Sequence, residues 1–238
     1  MERAIPNCGH LRVDNSVDLT RGRLVTNLLK KIAENFAKKS VYFLGKTNYF
    51  PFVYSEKALT SVLLPSLADA ADAVTTEYPV NRKRGRGSTF GFLDYWVFYH
   101  DSLLLVEAKH VWFNTRSKRL TEEMRTNWQE ALQQTDRIPM PNIRWDLDSI
   151  NLDPDKILRV PILIAPFWNR KSIKFERQNL ITCHENIRNW MSPRPNWTAL
   201  WLIKSEHQGP YDWSDETREK FDYYPAVGFY SYIHVRAQ

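Results

Sequence analysis

Glycine is scarce in this chain, with 8 among 238 residues. Loops therefore have little of the residue that gives the backbone most freedom, and they are expected to be stiff or few. Cysteine is scarcer still. Cys8 and Cys183 cannot build a disulfide framework and lack the paired spacing of a zinc site, so a reducing, intracellular (cytoplasmic) compartment is the simplest reading. No apolar run approaches the ~20 residues of a membrane span. Runs such as Ile162-Leu163-Ile164-Ala165 have the length of buried strands. The opening residues, Met1-Glu2-Arg3-Ala4-Ile5-Pro6, lack the apolar stretch of a secretory signal. Internal repeats and low-complexity tracts are absent as well.

The composition that remains is that of a folded protein, 43% hydrophobic and 25% charged. Such a length suits one domain over residues 1–238 with a sizeable core. Basic residues outnumber acidic ones, 33 to 27, and the net charge of +6 leans modestly toward polyanionic partners. The 9 tryptophans are expected mainly as core anchors.

Residues 1–16 are mixed in character and are expected to be loosely held. Leu24, Leu28, Leu29, Ile32 and Phe36 recur at helical spacing and predict a helix from about Val17 to Lys39. Val41 to Tyr54, aromatic and β-branched and broken by Gly45 and Pro51, reads as loop and short strand. A second helix is predicted from Ser55 to Thr75, with Pro65 as a kink. A strand begins near Glu77–Asn81, followed by the basic, flexible stretch Arg82-Lys83-Arg84-Gly85-Arg86-Gly87. The plainest strands are Phe92–Tyr99 and Leu103–Lys109, separated by a hairpin-length connection. Thr121–Gln134 has an apolar face of Met124, Trp128, Ala131, Leu132 and Thr135 and predicts a helix that Pro139 and Pro141 end. Leu158–Phe167 is a strand whose Pro161 suggests an edge or an irregular start. A helix over Ile173–Met191 and strands at Trp197–Ile203 and Ala226–Val235 complete a mixed α/β order.

The chemistry-bearing pattern is Asp94 followed, after twelve residues, by Glu107-Ala108-Lys109. Alternation along a strand puts Glu107 and Lys109 on one face and Ala108 on the other. If His100 and Asp101 form a two-residue loop, Tyr99 pairs with Ser102 and Asp94 lies opposite Glu107. A four-residue loop would instead set Asp94 opposite Lys109, and a three-residue loop or a bulge would change the register again. In the two-residue register the carboxylate β-carbons are ~5 Å apart between apolar flanks. Two such anions need compensation, and a divalent cation with oxygen ligands, Mg²⁺ or Mn²⁺, is one remedy. Lys109 beside it can hold or activate water or steady charge on a phosphate, so that a metal-bound water attacks phosphorus in line with the leaving oxygen.

From Gly91-Phe92-Leu93-Asp94 through Val106-Glu107-Ala108-Lys109 the sequence resembles the PD-(D/E)xK, or restriction endonuclease-like, nuclease superfamily. The resemblance covers roughly residues 55–168 and implies an α/β fold. Its αβββαβ core has a central mixed sheet flanked by helices, here with N- and C-terminal additions. It implies that Asp94 and Glu107 ligate Mg²⁺ (or Mn²⁺ as substitute), that the Ala108 carbonyl adds a ligand, and that Lys109 is catalytic. An upstream acid often comes from the first helix or its end. Glu77 is the choice by position, with Asp69 and Asp72 as alternatives. Leu93 stands where a proline often precedes the aspartate. The implied function is a Mg²⁺-dependent nuclease acting on DNA, with a homodimer as the usual means of cutting both strands, although no interface signal is present.

Arg82, Lys83, Arg84 and Arg86 read either as a DNA-phosphate contact loop or as a solvated turn. Gln129 and Gln133 share a helix face and read best as polar surface. His110 points away from Glu107 and Lys109 and reads as structural, and His184 and His207 have no ligand-spaced partners. Tryptophans 190, 197, 201 and 213 read as packing rather than base-stacking groups. The alternatives to a nuclease are a non-catalytic nucleic-acid-binding or assembly protein on the same fold and an unrelated enzyme whose hairpin carries a chance match.

Overall fold

The computed structural model describes residues 1–17, 19–85, 87–149, 154, 156–170, 175–214 and 220–234. The chain opens with strands β1 (Glu2–Ile5) and β2 (Gly9–Asn15) and helices α1 (Leu19–Thr47) and α2 (Glu56–Ala68). Strands β3 (Ala73–Arg84), β4 (Gly87–Tyr99), β5 (Ser102–His110) and β6 (Phe113–Asn114) follow. Then come helices α3 (Glu122–Asp136) and α4 (Met140–Ser149), strand β7 (Lys156–Asn169), helix α5 (Arg177–Trp190), and strands β8 (Trp197–Ile203), β9 (Tyr211–Asp212) and β10 (Phe221–Ser231). The sheet runs β1-β2-β8-β10-β7-β5-β4-β3, with β6 beside β7 and β9 beside β10. β5 and β7 are parallel, and the neighbours on either side of that pair are antiparallel. This is a mixed α/β sheet flanked by helices, the coarse class predicted.

Strand alternation splits β5 between two cores. Leu104, Val106 and Ala108 face α1 and α2, packing with Phe36, Leu63 and Trp201. Leu103 and Leu105 face the other way, against Ile143 and Leu147 of α4, and further along that face Met124 and Trp128 of α3 pack with Ile187 of α5. The strand is thus buried on both sides, which is why it reads as a continuous apolar run. Thr121 caps α3, its hydroxyl accepting from the Met124 amide at 3.2 Å. The five buried residues of α3 are those that its periodicity selected.

Several local expectations are corrected. Residues 1–16 are not loose: β2 pairs with β8 from Gly9–Ile203 to Asn15–Trp197. Helix α1 continues to Thr47 through the stretch that reads as strand, because Val41 and Leu44 pack on the core. It ends where Asn48 takes a left-handed φ of 63°. Helix α2 stops at Ala68, so Ala73–Thr75 begin β3 rather than end a helix. Arg82–Arg84 complete β3 rather than forming a flexible stretch. Pro141 lies in α4, which the sequence reading lacks. Pro161 sits in an interior strand, just where the β7–β10 ladder ends at Ile162–Ser231. Arg86, residues 173–174 of the predicted Ile173–Met191 helix and Val235 lie outside the described residues.

Candidate functional site

The β4–β5 hairpin has the two-residue loop, with Tyr99 opposite Ser102 and the ladder continuing to Tyr95–Val106. The next pair in that register is Asp94 and Glu107, and there the ladder stops. The cause lies on the neighbouring strand. β3 pairs with β4 on both sides of Glu77 and Asp94 but not at them, and Glu77 has a φ of 51°. A non-glycine residue held there costs roughly 1–2 kcal/mol. The interruption breaks alternation, since Leu93 and Trp96 pack into one cluster although three positions apart. β4 therefore separates from β5 at Asp94, and the Asp94 side chain takes over the missing pairing. Its Oδ2 accepts from the Ala108 amide at 2.8 Å.

Glu107 is almost wholly buried, its side chain 3% exposed. Burial raises its carboxyl to about 8, the charge of Asp94 adds to the rise, and Arg82 and Lys109 oppose it. Asp94 is raised too, first by burial and further by Glu56, against the Ala108 amide and Lys109. Burial thus raises both carboxyls, and the charge of Asp94 is felt at Glu107. Arg82 of β3 balances Glu107: Nη2 donates to Glu107 Oε2 at 2.9 Å and to the Phe92 carbonyl at 2.7 Å. Gly91 makes room, since a β-carbon there would lie 2.9 Å from Arg82 Nη1. Lys109 Nζ stands 3.9 Å from Glu107 Oε1 and 3.7 Å from Glu56 Oε1.

Glu56 is the residue that the sequence reading misses. It opens α2 directly after the Ser55 cap, and its Oε2 accepts from the His110 amide at 3.2 Å. That contact ties the start of α2 to the end of β5. A serine cap followed by an acid at the first helical position is a visible signal, but only the packing of α2 places it beside Lys109. Glu77 lies in mid-strand rather than at a helix end, and with Glu56, Asp94 and Ala108 it lines a cleft of about 290 Å³. The two alternatives to it serve the frame instead. Asp69 pairs with Lys39 at 2.6 Å, and Asp72 accepts from the His100 amide in the hairpin turn.

Arg82 is therefore a partner of Glu107 rather than a solvated loop residue. Lys83 is exposed on the β3 edge. The Arg84 side chain and Arg86 lie outside what is described. Gln129 donates to the Ser192 carbonyl and Gln133 accepts from Arg137, as befits helix surface. His110 is structural: its ring meets the Phe52 carbonyl at 2.9 Å, and burial lowers it to about 4.

Among the described residues, no group of three or more His, Cys, Asp or Glu side chains converges to hold a metal. The oxygen donors at this strand end are the carboxylates of Asp94 and Glu107. That set fits Mg²⁺, which commonly takes one or two carboxylates and keeps several waters. Burial raises both Asp94 and Glu107, the charge of Asp94 adds to the rise of Glu107, and Arg82 already offsets part of it. No helix among the described residues is long and apolar enough to cross a membrane. Comparisons with protein-family models, with curated proteins and with solved structures find no match.

Proposed function

We propose that this chain is a Mg²⁺-dependent nuclease that hydrolyses phosphodiester bonds in DNA, on a restriction endonuclease-like core. The observation that carries the reading is Asp94 hydrogen-bonded to the Ala108 amide where β4 leaves β5, between Glu107 and Lys109 on the same strand end, with the charge of Asp94 felt at Glu107. The order α2-β3-β4-β5-α3-β7, with β6 and α4 inserted and β5 and β7 parallel, supports an αβββαβ reading of the core.

Asp94, Glu107 and the Ala108 carbonyl would hold Mg²⁺, or Mn²⁺ in its place. When bound, the ion supplies Lewis-acid polarisation of the phosphate and a more acidic water. The chain's own groups do the rest. Glu107 and Glu56 hold the Lys109 ammonium at the strand end, where it orients the attacking water and stabilises negative charge on the phosphate. The water oxygen bonds to phosphorus, the bond from phosphorus to the leaving oxygen breaks, and a proton from the water ends on the leaving oxygen. Glu77 and Glu56 supply further acceptors along the cleft. Arg82, Lys83, Arg84 and Arg86 would contact phosphates, Arg82 after it leaves Glu107. Cutting both strands of a duplex takes two such sites, which a homodimer supplies.

One observation favours a second reading, a nucleic-acid-binding or assembly protein with a purely structural acid pair: Arg82 already neutralises Glu107 in a buried ion pair. Incubation of supercoiled and linear plasmid with Mg²⁺ or Mn²⁺ separates the two. The nuclease reading expects cleavage abolished by EDTA and by Lys109→Ala. Salt-sensitive DNA binding without cleavage supports the second reading.

A further inference from the structure

A second cleft, of about 560 Å³, lies just past the ends of the parallel strands β5 and β7. Trp112, Trp168, Trp213 and Tyr54 line it, together with the cations Arg170 and Lys220 and the acids Glu123 and Asp222. The three tryptophans are only partly buried, and Tyr54 is 47% exposed, so ring surface remains open to the cleft. This differs from Trp197 and Trp201, which are sealed in the core.

The aromatic walls are fixed. The Tyr54 and Trp213 rings meet edge to face at 5.6 Å, and the Arg170 guanidinium lies 5.7 Å over the Trp168 ring. Two polar atoms of the lining residues lack hydrogen-bond partners: Trp213 Nε1, a donor, and Asp222 Oδ1, an acceptor. Asp222 is itself 8% exposed. Both atoms are themselves buried in the wall, so the open ring faces and the two cations are what a ligand in the cleft would meet.

The cleft also adjoins the acidic site through short links. Tyr54 is two residues before Glu56, which lies 3.7 Å from Lys109 Nζ. Trp112 is two residues after His110, and their rings meet edge to face at 4.7 Å.

We propose that this cleft holds an unpaired nucleobase of the strand whose phosphodiester lies at Glu107 and Lys109. The base stacks on indole faces, and Arg170 and Lys220 meet its flanking phosphates. Stacking on aromatic side chains is available to every base, because each has a π-face. The inference rests on the reading of DNA as substrate, and it adds that this DNA is single-stranded or locally opened at the cut.

The test uses the full-length Lys109→Ala chain in EDTA, so that nothing is cut. Fluorescence anisotropy compares a short labelled single-stranded DNA with the same strand in a duplex. The single strand is expected to bind more tightly. Adding Arg170→Ala, at an exposed position, or Trp112→Ala should weaken single-strand binding about tenfold and leave duplex binding unchanged. Single-strand binding unaltered by either substitution overturns the inference, as does equal weakening for single strand and duplex, which marks a merely electrostatic surface. Absence of DNA binding overturns it too. Plasmid cleavage by the wild-type chain is scored separately. Cleavage without a cleft effect removes this inference alone, whereas a cleft effect without cleavage removes the nuclease reading and leaves the cleft as a binding site.

Discussion

Arg82 supplies the positive charge beside Glu107, and on the proposed reading it competes with a divalent cation for that carboxylate. Its Nη2 donates to Glu107 at 2.9 Å, and it is held in place by the Phe92 carbonyl and by the absence of a side chain at Gly91. A cation that uses Glu107 has to displace it. Arg82→Gln is therefore expected to bind Mn²⁺ more tightly than the wild type in calorimetry, and Gly91→Ala should act in the same direction by displacing the guanidinium. Unchanged or weaker Mn²⁺ binding in Arg82→Gln would contradict the competition. Glu107 adds a pH dependence. Its folded carboxyl titrates near 8, above the ordinary 4.5. The folded, metal-free chain thus holds a proton that the unfolded chain has lost between those values, and this contribution to stability fades as pH rises through them. Thermal stability should decline from pH 5 to pH 8, and Glu107→Gln should flatten that decline. Metal binding should release a proton and strengthen over the same range. The acid pair and Lys109 were legible because they need only the count across one hairpin. Glu56 was not, because its place depends on how a helix start 53 residues before Lys109 packs against β5.

The elements divide according to whether local pattern or distant packing decides them. The β4–β5 hairpin, α3 and β8 follow from alternation, from a cap and from periodicity, and the structure has them within a few residues of the sequence reading. The far end of α1 does not follow. Val41, Tyr42, Phe43 and Leu44 have strand-like composition, but two of them pack on the core as a helix and tertiary contact overrides local preference. The kink at Glu77 was likewise invisible, since nothing in Thr76-Glu77-Tyr78 announces a left-handed residue in mid-strand. These elements carry their own test. Thr121→Ala removes the hydroxyl that accepts the Met124 amide and should cost about 1 kcal/mol of stability in denaturant unfolding. No change in the midpoint would mean that α3 does not depend on its cap.

Across the whole molecule, the acidic site sits on β4 and β5, directly beside β7, the strand that closes the β1–β7 half of the sheet. The first and last thirds of the chain build that half together. β8 is buried at every position and lies between β2 and β10. The N-terminal hairpin therefore shields an apolar strand rather than trailing from the domain. Removing residues 1–15 should leave β8 as an unpaired edge and cause association or precipitation in light scattering. A monodisperse truncated chain with the stability of the intact one would contradict that role. The resemblance covering residues 55–168 omits β1, β2, β8 and β10, because pairing between residues as far apart as Gly9 and Ile203 leaves no mark in local pattern.

The most direct measurement for the molecule as a whole is single-turnover cleavage of end-labelled single-stranded and duplex DNA by the wild-type chain and by Lys109→Ala, with DNA binding followed in parallel. The expected result is Mg²⁺-dependent cleavage by the wild type and none by Lys109→Ala, with DNA affinity retained in the variant. A well-folded wild-type chain that binds both DNAs in Mg²⁺ and Mn²⁺ but cuts neither would contradict the assignment of Asp94, Glu107 and Lys109 as a nuclease centre.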